Sequence, residues 1–311
     1  MLASFCVTPA SFAQSNADPI DLRPLWTEGQ EATYEFTNLR ESRSSLELPD
    51  RTVDTNFAIR SEGSVRWTVN RVNDDGSAEC TMTLEWMAAT LTLPDGQTMI
   101  NDTRKARGDE EVMHGLLKAM AGKPLAIKVG SDGMIVGVDG LKAMRDAADD
   151  ADMVPDVRDF NETATELAVL AGVPVSIGIG DDWSVDHVWN FGIVGMDIGT
   201  LEQQWSYTLD GVETIGGVPV AVVRGEADRI KLDASAVAEQ QPEGMPDVSV
   251  RLTDSSATSQ VLFDLTRQEA VGRYATLSAT LAMRIPLPNG RTIQRTVTET
   301  IEGTTIRVAE D

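Results

Sequence analysis

The stretch ECTMTLEWMAATLTL, residues 79–93, decides the fold class of this chain. Its first apolar side chains occupy every second position: Cys80, Met82, Leu84 and Trp86. A period of two residues places apolar and polar side chains on opposite faces of a β-strand, one buried and one in contact with water. After Ala88 the phase changes to Leu91 and Leu93, which predicts a β-bulge or bend within one long strand.

The same alternation recurs in both halves of the chain. It is found at Ala32, Tyr34 and Phe36, at Val65, Trp67 and Val69, at Trp205, Tyr207 and Leu209, and at Leu277, Ala279, Leu281, Met283 and Ile285. Residues 93–96 (LPDG) and 287–290 (LPNG) supply Pro and then Gly, as tight hairpin turns require. Strands with one polar face joined by short turns are typical of an antiparallel sheet.

Only the middle of the chain, about 109–171, has helical periodicity. Three short helices are predicted there, beginning near Asp109, Asp139 and Pro155. A small hairpin that turns at Ser131-Asp132-Gly133 separates the first two helices. His114 falls outside the apolar stripe of the first helix, and we expect it to be solvated.

Two segments around the turns are similar to each other: TLPDGQTM at 92–99 and PLPNGRTI at 286–293. We interpret them as matching points of two β-meander halves, about 30–106 and 180–303, although hairpin chemistry alone can create the likeness. The predicted fold is α+β and β-dominated. It consists of a strongly curved, half-barrel-like antiparallel sheet built from the two halves, with the helical segment packed on one face. Residues 29–311 form a single domain in this interpretation.

The first residues indicate export. Ser11-Phe12-Ala13 has the small residues that signal peptidase requires, so residues 1–13 are interpreted as a signal peptide remnant and 14–28 as a linker. An apolar N-terminal tail is the alternative. The predicted location is periplasmic or extracellular. Nothing later in the chain approaches the roughly 18 apolar residues that span a bilayer, so we expect a soluble protein without a transmembrane segment.

The net charge of the chain argues against two classes of binding partner. The chain carries 49 acidic against 26 basic residues, a net charge of −23. A surface of that sign repels phosphate backbones and anionic lipid headgroups. Nucleic acid and peripheral membrane binding are therefore not expected.

The sequence contains no recognisable catalytic or metal-binding motif. His114 and His187 belong to no metal-binding pattern, and Ser131 lies in a turn that does not fit a nucleophile elbow. Five aspartates between 146 and 156 form either a solvated surface or a Ca²⁺ site, but their spacing matches no EF-hand loop. Cys80 is the single cysteine that remains after removal of the signal peptide, which excludes an intramolecular disulfide. We expect no enzymatic activity, no bound metal and no cofactor.

Six residues are candidates for lining a ligand pocket: Trp183, His187, Trp189, Met113, Met120 and Met144. The two tryptophans share one face of a predicted strand with the histidine, whose pKa burial would lower. The alternative is a core histidine bonded to a backbone carbonyl. The methionines belong to the helical segment, and methionine adapts to varied partners. Ordinary filling of gaps between helices and sheet is the competing explanation.

A family resemblance rests on strand and turn signals. These are the strands that start after Gly29 and Gly180, the hairpin VGSDGMIV at 129–136 and the turn LPNGRT at 287–292. With them the chain resembles an uncharacterised family of exported planctomycete-type bacterial proteins, known as a domain of unknown function. The resemblance implies no active-site residue.

Together these features predict a non-catalytic, exported envelope protein that binds an apolar ligand or a protein partner. The alternative is a hydrolase-like enzyme with an unrecognised carboxylate site.

Overall fold

The computed structural model describes five parts of the chain: residues 19–140, 176–193, 196–239, 248–287 and 291–308. Several predicted features lie outside the described residues. These are the signal peptide remnant, the second and third helices, the acidic run and residues 288–290 of the second LP(D/N)G turn.

Twelve β-strands and two helices make up the described parts. In chain order the strands are β1 Glu31–Glu47, β2 Thr52–Val72, β3 Ala78–Thr92, β4 Thr98–Asp102, β5 Pro124–Val129, β6 Ile135–Asp139, β7 Asp182–Ile193, β8 Met196–Ile215, β9 Val218–Asp233, β10 Ser249–Asp264, β11 Glu269–Pro286 and β12 Thr292–Arg307. The helices are α1 Glu111–Met120 and α2 Ser235–Glu239. None of the helices in the described parts has the length and apolar character needed to cross a membrane.

All twelve strands join one antiparallel sheet in the order β6-β5-β3-β2-β1-β12-β11-β10-β9-β8-β7, with β4 paired to β3 outside this path. Most sheet neighbours are also chain neighbours, as in a meander. The main exception joins the first strand to the last, from Tyr34 opposite Arg307 to Glu47 opposite Gln294. Among the described strands the sheet is open, with β6 and β7 at its ends. The prediction of a β-dominated antiparallel fold is confirmed.

The predicted hairpin turns at 93–96 and 131–133 are confirmed. Gly96 has φ of +83° and Gly133 has φ of +81°. This left-handed backbone is the conformation for which glycine is favoured in tight turns.

The change of phase in β3 occurs earlier than the sequence indicates. The register of β2 against β3 skips Glu85, upstream of the predicted position at Ala88. This bulge turns Trp86 away from the face that carries Leu84. On the other face, the Arg104 guanidinium lies 3.9 Å from the centre of the Trp86 ring. The prediction that Trp86 and Leu84 share the buried face is therefore wrong.

Helix α1 confirms the first predicted helix, but with a different cap. The Glu110 side chain accepts a hydrogen bond from the Met113 amide. The predicted cap, Asp109, instead accepts one from the Ile100 amide of β4 at 2.8 Å. After α1 the chain turns at Gly122, whose φ of +73° suits a helix C-terminus.

His114 on α1 is buried, with 8% of its surface exposed, so the expectation of a solvated histidine is wrong. The loop before the helix covers it, since a Cβ added at Gly108 would lie 2.9 Å from the His114 Cβ. Neither ring nitrogen has a hydrogen-bond partner in the part of the chain described.

Buried side chains form three clusters along the sheet. The first joins β2, β3 and β5 around Cys80 and Ile127, and Leu116 and Met120 of α1 pack against it. The second lies on β7 to β10, and the third joins β7 and β8 to β11 and β12.

The segment expected to be a linker packs against two of these clusters. Leu22 is fully buried in the second cluster, which also contains Ile177, and Trp26 packs against the first. The Gly29 amide then donates a hydrogen bond to the Val69 carbonyl at 2.8 Å. From about residue 20 onward this segment is therefore part of the folded unit.

The sheet is strongly bent in its second half. Arg40 on β1 donates a hydrogen bond to the Gly192 carbonyl on β7, six strands away in the order of the sheet. The same guanidinium pairs with the buried Glu299 of β12, Nε to Oε2 2.9 Å. The third cluster includes Phe191 of β7 and Leu281 of β11. The face of β1 and β7–β12 that carries these contacts is called the concave face below.

Candidate functional site

Four aromatic rings lie on the concave face where β7 pairs with β8. Trp183 and Tyr207 stack with 5.5 Å between ring centres, and Tyr207 stacks on Trp205 at 5.9 Å. The His187 ring is perpendicular to that of Trp205, with 6.4 Å between centres. The register of the two strands and their alternation put all four rings on one face. We call them the aromatic cluster.

His187 lies half-buried at one end of this cluster. Burial lowers the pKa of its imidazole, the positive charge of Arg273 lowers it further, and Asp186 acts in the opposite direction. The ring is therefore neutral at pH 7. The direction of this shift agrees with the sequence pattern, in which the histidine alternates with tryptophans.

Gln203 occupies a buried position on β8 between Leu201 and Trp205 of the same face, with 2% of its surface exposed. Its oxygen accepts a hydrogen bond from the Trp205 indole, Nε1 to Oε1 2.8 Å. Its Nε2 donor has no partner in the described part of the chain. A buried donor without an acceptor costs about 1–3 kcal/mol. An acceptor from outside the chain would stabilise this arrangement.

A cavity of about 60 Å³ lies between β8 and the strands β1, β11 and β12. Its apolar lining consists of Trp205, Ala275, Leu277, Ile301 and Gly303, and its polar lining consists of Asn38, Gln203, Arg273, Thr276 and Thr305. One water needs about 10–15 Å³ in such a cavity, so there is room for a few groups of that size. The Asn38 Oδ1 atom is buried without a hydrogen-bond partner among the described residues. Two buried polar side chains with unused hydrogen-bonding capacity therefore border the same space.

The charge of this cavity is opposite to that of the whole protein. Arg273 is the one residue of its lining with a formal charge, whereas the chain carries a net charge of −23. That positive charge acts across the concave face, because it lowers the pKa of both His187 and Tyr207, although burial raises the pKa of Tyr207 on balance. The lining thus combines one positively charged side chain with apolar and neutral polar side chains.

The predicted pocket residues divide between two places. Trp183 and His187 belong to the aromatic cluster, and Trp189 lies on the same strand, opposite Leu201. Met120 packs instead against the first cluster, and Met113 lies on the same helix, α1. That cluster is on β2, β3 and β5, near the other end of the sheet, so the structure does not bring the two groups together. Met144 lies outside the described residues.

Sequence reasoning missed Asn38, Gln203 and Arg273. The sequence does contain a signal for each of them. Each is a polar residue at a position where the alternation of its strand places apolar side chains. Asn38 follows Phe36 in phase, Gln203 precedes Trp205, and Arg273 is in phase with the later apolar run of β11. A polar residue at a buried position is more informative than an apolar one, because its burial is costly.

A second depression lies at the edge of the sheet, over β7, β8 and β9. It is about 370 Å³ in volume and is lined largely by charged and amide side chains, among them Glu202, Gln204, Arg229 and Lys231. Successive side chains of a strand point to opposite faces of the sheet, so these four residues point away from the aromatic cluster. His187 and Gln203 line this groove as well, and Gln203 also lines the cavity, so the two depressions adjoin each other at Gln203.

The buried carboxylates of the described residues have structural partners. The Asp264 side chain accepts hydrogen bonds from the Thr266 and Arg267 amides of its own turn. Glu269 is 3.3 Å from the Arg307 guanidinium and accepts a hydrogen bond from Gln30 at 3.1 Å. In the described part of the chain, no group of three or more candidate ligands is placed to hold a metal ion.

Comparison with known proteins relates part of the chain to a family. Residues 75–166 match the model of a family of unknown function, DUF6263. The match covers less than a third of the 311 residues. It agrees with the predicted resemblance to an uncharacterised family, while the exported, planctomycete-type origin stays a prediction. No curated protein is significantly similar in sequence.

Several solved structures are distantly similar. A lipovitellin structure described by its lipid–protein interactions has 10% identity and a TM-score of 0.45 over 91% of this chain, which spans 25% of the lipovitellin chain. The outer membrane protein OprG from Pseudomonas aeruginosa has 7% identity and a TM-score of 0.21, covering 91% of this chain and 99% of its own. A DUF1329 family protein from Desulfovibrio piger has 8% identity and a TM-score of 0.14, covering 86% and 83%. At these scores the likeness does not establish a common fold.

Proposed function

We propose that this protein is a non-catalytic binding protein that takes an amphipathic ligand on its concave face, and that it acts outside the cytoplasm. The observation that carries the proposal is the cavity whose lining combines the apolar side chains of Trp205, Leu277 and Ile301 with the polar side chains of Gln203 and Asn38. Ligand sites combine such an apolar wall with a few placed polar groups. The proposal of export rests on the sequence of residues 1–13.

The buried polar groups support binding over ordinary core packing. A core that only has to be stable is best filled with apolar side chains, because unpaired polar atoms are costly there. Gln203 and Asn38 leave an amide donor and an acceptor unpaired at one cavity. A ligand that pairs with them would recover that cost on binding.

Gly303 offers a direct test, because it lines the cavity and an added Cβ would meet nothing within 4 Å. The variant Gly303→Leu should fill the cavity with little backbone strain. The wild type should bind a fluorescent medium-chain amphiphile saturably at a stoichiometry near one, and Gly303→Leu should weaken this binding at least tenfold. Fluorescence titration measures the affinity, and circular dichroism checks that each variant is folded.

Thr304→Leu is the matched control, since residue 304 follows on β12 and points to the opposite face. It should bind like the wild type. If Gly303→Leu does not fold, Leu277→Gln removes part of the apolar wall and should weaken binding instead. Wild-type affinity in a folded Gly303→Leu variant, or no binding of any amphiphile at micromolar concentrations, would overturn the proposal. A role through a surface partner would then be the better explanation.

A further inference from the structure

We propose that the cavity selects an uncharged head group that both donates and accepts a hydrogen bond, so that the ligand is an amphipathic alcohol. This inference rests on the proposed function and adds the chemistry of the ligand's polar end. The hydroxyl oxygen would accept a hydrogen bond from Gln203, and the hydroxyl proton would be donated to Asn38.

The charges around the cavity argue for an uncharged ligand. Arg273 is the one residue of the lining with a formal charge, and it already has an interaction partner within the protein. An anion in the cavity would therefore carry a charge that the lining residues do not balance, and burying an unpaired charge is costly. The net charge of −23 also repels an anion as it approaches. A neutral head group avoids both costs.

Gln203 supplies the hydrogen-bond donor. An indole N–H can only donate, so the Gln203 atom that lies 2.8 Å from the Trp205 Nε1 is the amide oxygen. This contact fixes the orientation of the amide. It leaves Nε2, which is buried without a partner among the described residues, as the free end of the side chain. An oxygen atom of the ligand is the acceptor that this donor lacks.

Asn38 supplies the complementary acceptor. Its Oδ1 is buried without a hydrogen-bond partner in the described part of the chain, and the residue lines the same cavity as Gln203. An oxygen atom that only accepts, such as that of an ether, can satisfy Gln203 but leaves the Asn38 oxygen unpaired. A hydroxyl group satisfies both residues, because it has one donor and two acceptor lone pairs.

The volume of the cavity favours a hydroxyl over larger groups that also donate and accept. One water needs about 10–15 Å³, and a hydroxyl is similar in size. Most of the cavity of about 60 Å³ is then left for methylene groups beside Leu277 and Ile301. A water molecule can bridge the same two amides, and a ligand that displaces such a water loses affinity unless it reproduces the hydrogen bonds. A hydroxyl group reproduces them.

The test compares two isomers of the same formula, 1-octanol and heptyl methyl ether, with octanoate as a charged probe. The ether keeps the accepting oxygen atom and lacks the donated proton. Isothermal titration calorimetry at pH 7 should show that the wild type binds octanol at least tenfold more tightly than the ether, which corresponds to about 1.4 kcal/mol. Octanoate should bind more weakly than octanol.

The variant Asn38→Leu removes the acceptor and keeps a side chain of similar shape. It should lower the affinity for octanol to that for the ether and leave the affinity for the ether unchanged, because the ether uses only Gln203. Asn56→Leu replaces an exposed asparagine of β2 and is the control, which should keep the tenfold preference. Circular dichroism checks that both variants are folded.

The outcomes separate this inference from the proposed function. If the wild type binds the two isomers equally, or binds octanoate more tightly than octanol, the hydroxyl assignment is wrong while ligand binding stands. The same conclusion follows if Asn38→Leu weakens both isomers alike. If none of the three probes binds, the proposed function also fails. Should Asn38→Leu not fold, the comparison of the isomers in the wild type decides alone.

Discussion

At the residue scale, the concave face buries several polar side chains. Asn38, Gln203 and Glu299 have buried polar atoms without a hydrogen-bond partner in the described part of the chain. The Glu299 carboxylate is offset by Arg40, which also bonds to the Gly192 carbonyl and so ties β1 to β7. The unpaired atoms of Gln203 and Asn38 are not offset in this way, and we therefore propose that these two side chains bind a ligand.

His187 provides a prediction about pH. Burial lowers the pKa of its imidazole in the folded protein below the ordinary value of 6.5. Below pH 6.5 the unfolded chain therefore binds a proton that the folded protein does not, and stability falls as the pH drops toward the folded pKa. His187→Gln should remove this part of the acid destabilisation.

The measurement is the melting temperature of both proteins between pH 8 and pH 5. Plotted against pH, the melting temperatures of the two proteins should run parallel above about pH 7. Below that pH they should diverge, because the wild type loses more stability. Curves that remain parallel down to pH 5 would show that the histidine is not held neutral by burial.

At the element scale, two pairs of strands fit together through a glycine opposite an aromatic ring. Phe36 lies opposite Gly63 in the β1–β2 ladder, and Tyr207 lies opposite Gly225 in the β8–β9 ladder. A Cβ at Gly63 would be 2.5 Å from the Phe36 ring. The absence of a side chain thus lets each ring lie flat over the neighbouring strand. For Tyr207, this position allows it to stack between two tryptophans.

Gly225→Ala should therefore destabilise the protein. The new Cβ would lie 2.5 Å from the Ser259 Oγ and 2.6 Å from the Tyr207 ring, and overpacking of this kind costs about 1–3 kcal/mol. Urea unfolding followed by circular dichroism measures the change. Gly303→Ala is the control, because its Cβ would meet nothing within 4 Å, and it should stay within about 1 kcal/mol of the wild type. Equal stability of the two variants would contradict the close packing of Tyr207 on β9.

At the scale of the whole molecule, one continuous sheet connects three separate buried clusters. The first is at the β5 side and the other two are under the bend of β7–β12. Strand β1 is paired with β2 along its whole length, from Glu31 opposite Thr68 to Glu47 opposite Thr52, and long ladders of this kind give the clusters a shared hydrogen-bonded framework. We expect them to unfold together.

Cys80 reports on that unfolding. Its thiol is 1% exposed in the first cluster, and burial raises its pKa to about 11. At pH 8 only about one thiol in a thousand would then be ionised, and the thiolate is the reactive form. In a Cys6→Ser background, Ellman's reagent should react with Cys80 at least a hundredfold more slowly in the native protein than in concentrated guanidinium chloride.

The control places a cysteine in the exposed β2–β3 turn, Asp74→Cys with both natural cysteines replaced by serine and alanine. That thiol should react quickly under native conditions. If Cys80 reacts as fast as the control while circular dichroism shows a folded sheet, then the first cluster opens independently of the rest.

The sequence by itself predicted many of the strands, the hairpin turns at 93–96 and 131–133, and the buried face of most of these strands, because alternation and turn chemistry are local properties. It indicated the aromatic face of Trp183 and His187 for the same reason. Alternation also predicted the bulge in β3, although not its position at Glu85. The contact of Trp86 with Arg104 on the other face joins residues that the local alternation does not relate.

Only the tertiary structure decided which strands are neighbours and where the sheet bends. The pairing of β1 with β12 joins residues from opposite ends of the chain, and no local pattern encodes a partner at that distance. Asn38, Gln203 and Arg273 belong to three different strands, and each is a single polar residue in an apolar phase. They become one site because the curvature of the sheet turns β8 toward β11 and β12, and that curvature results from packing summed over many strands.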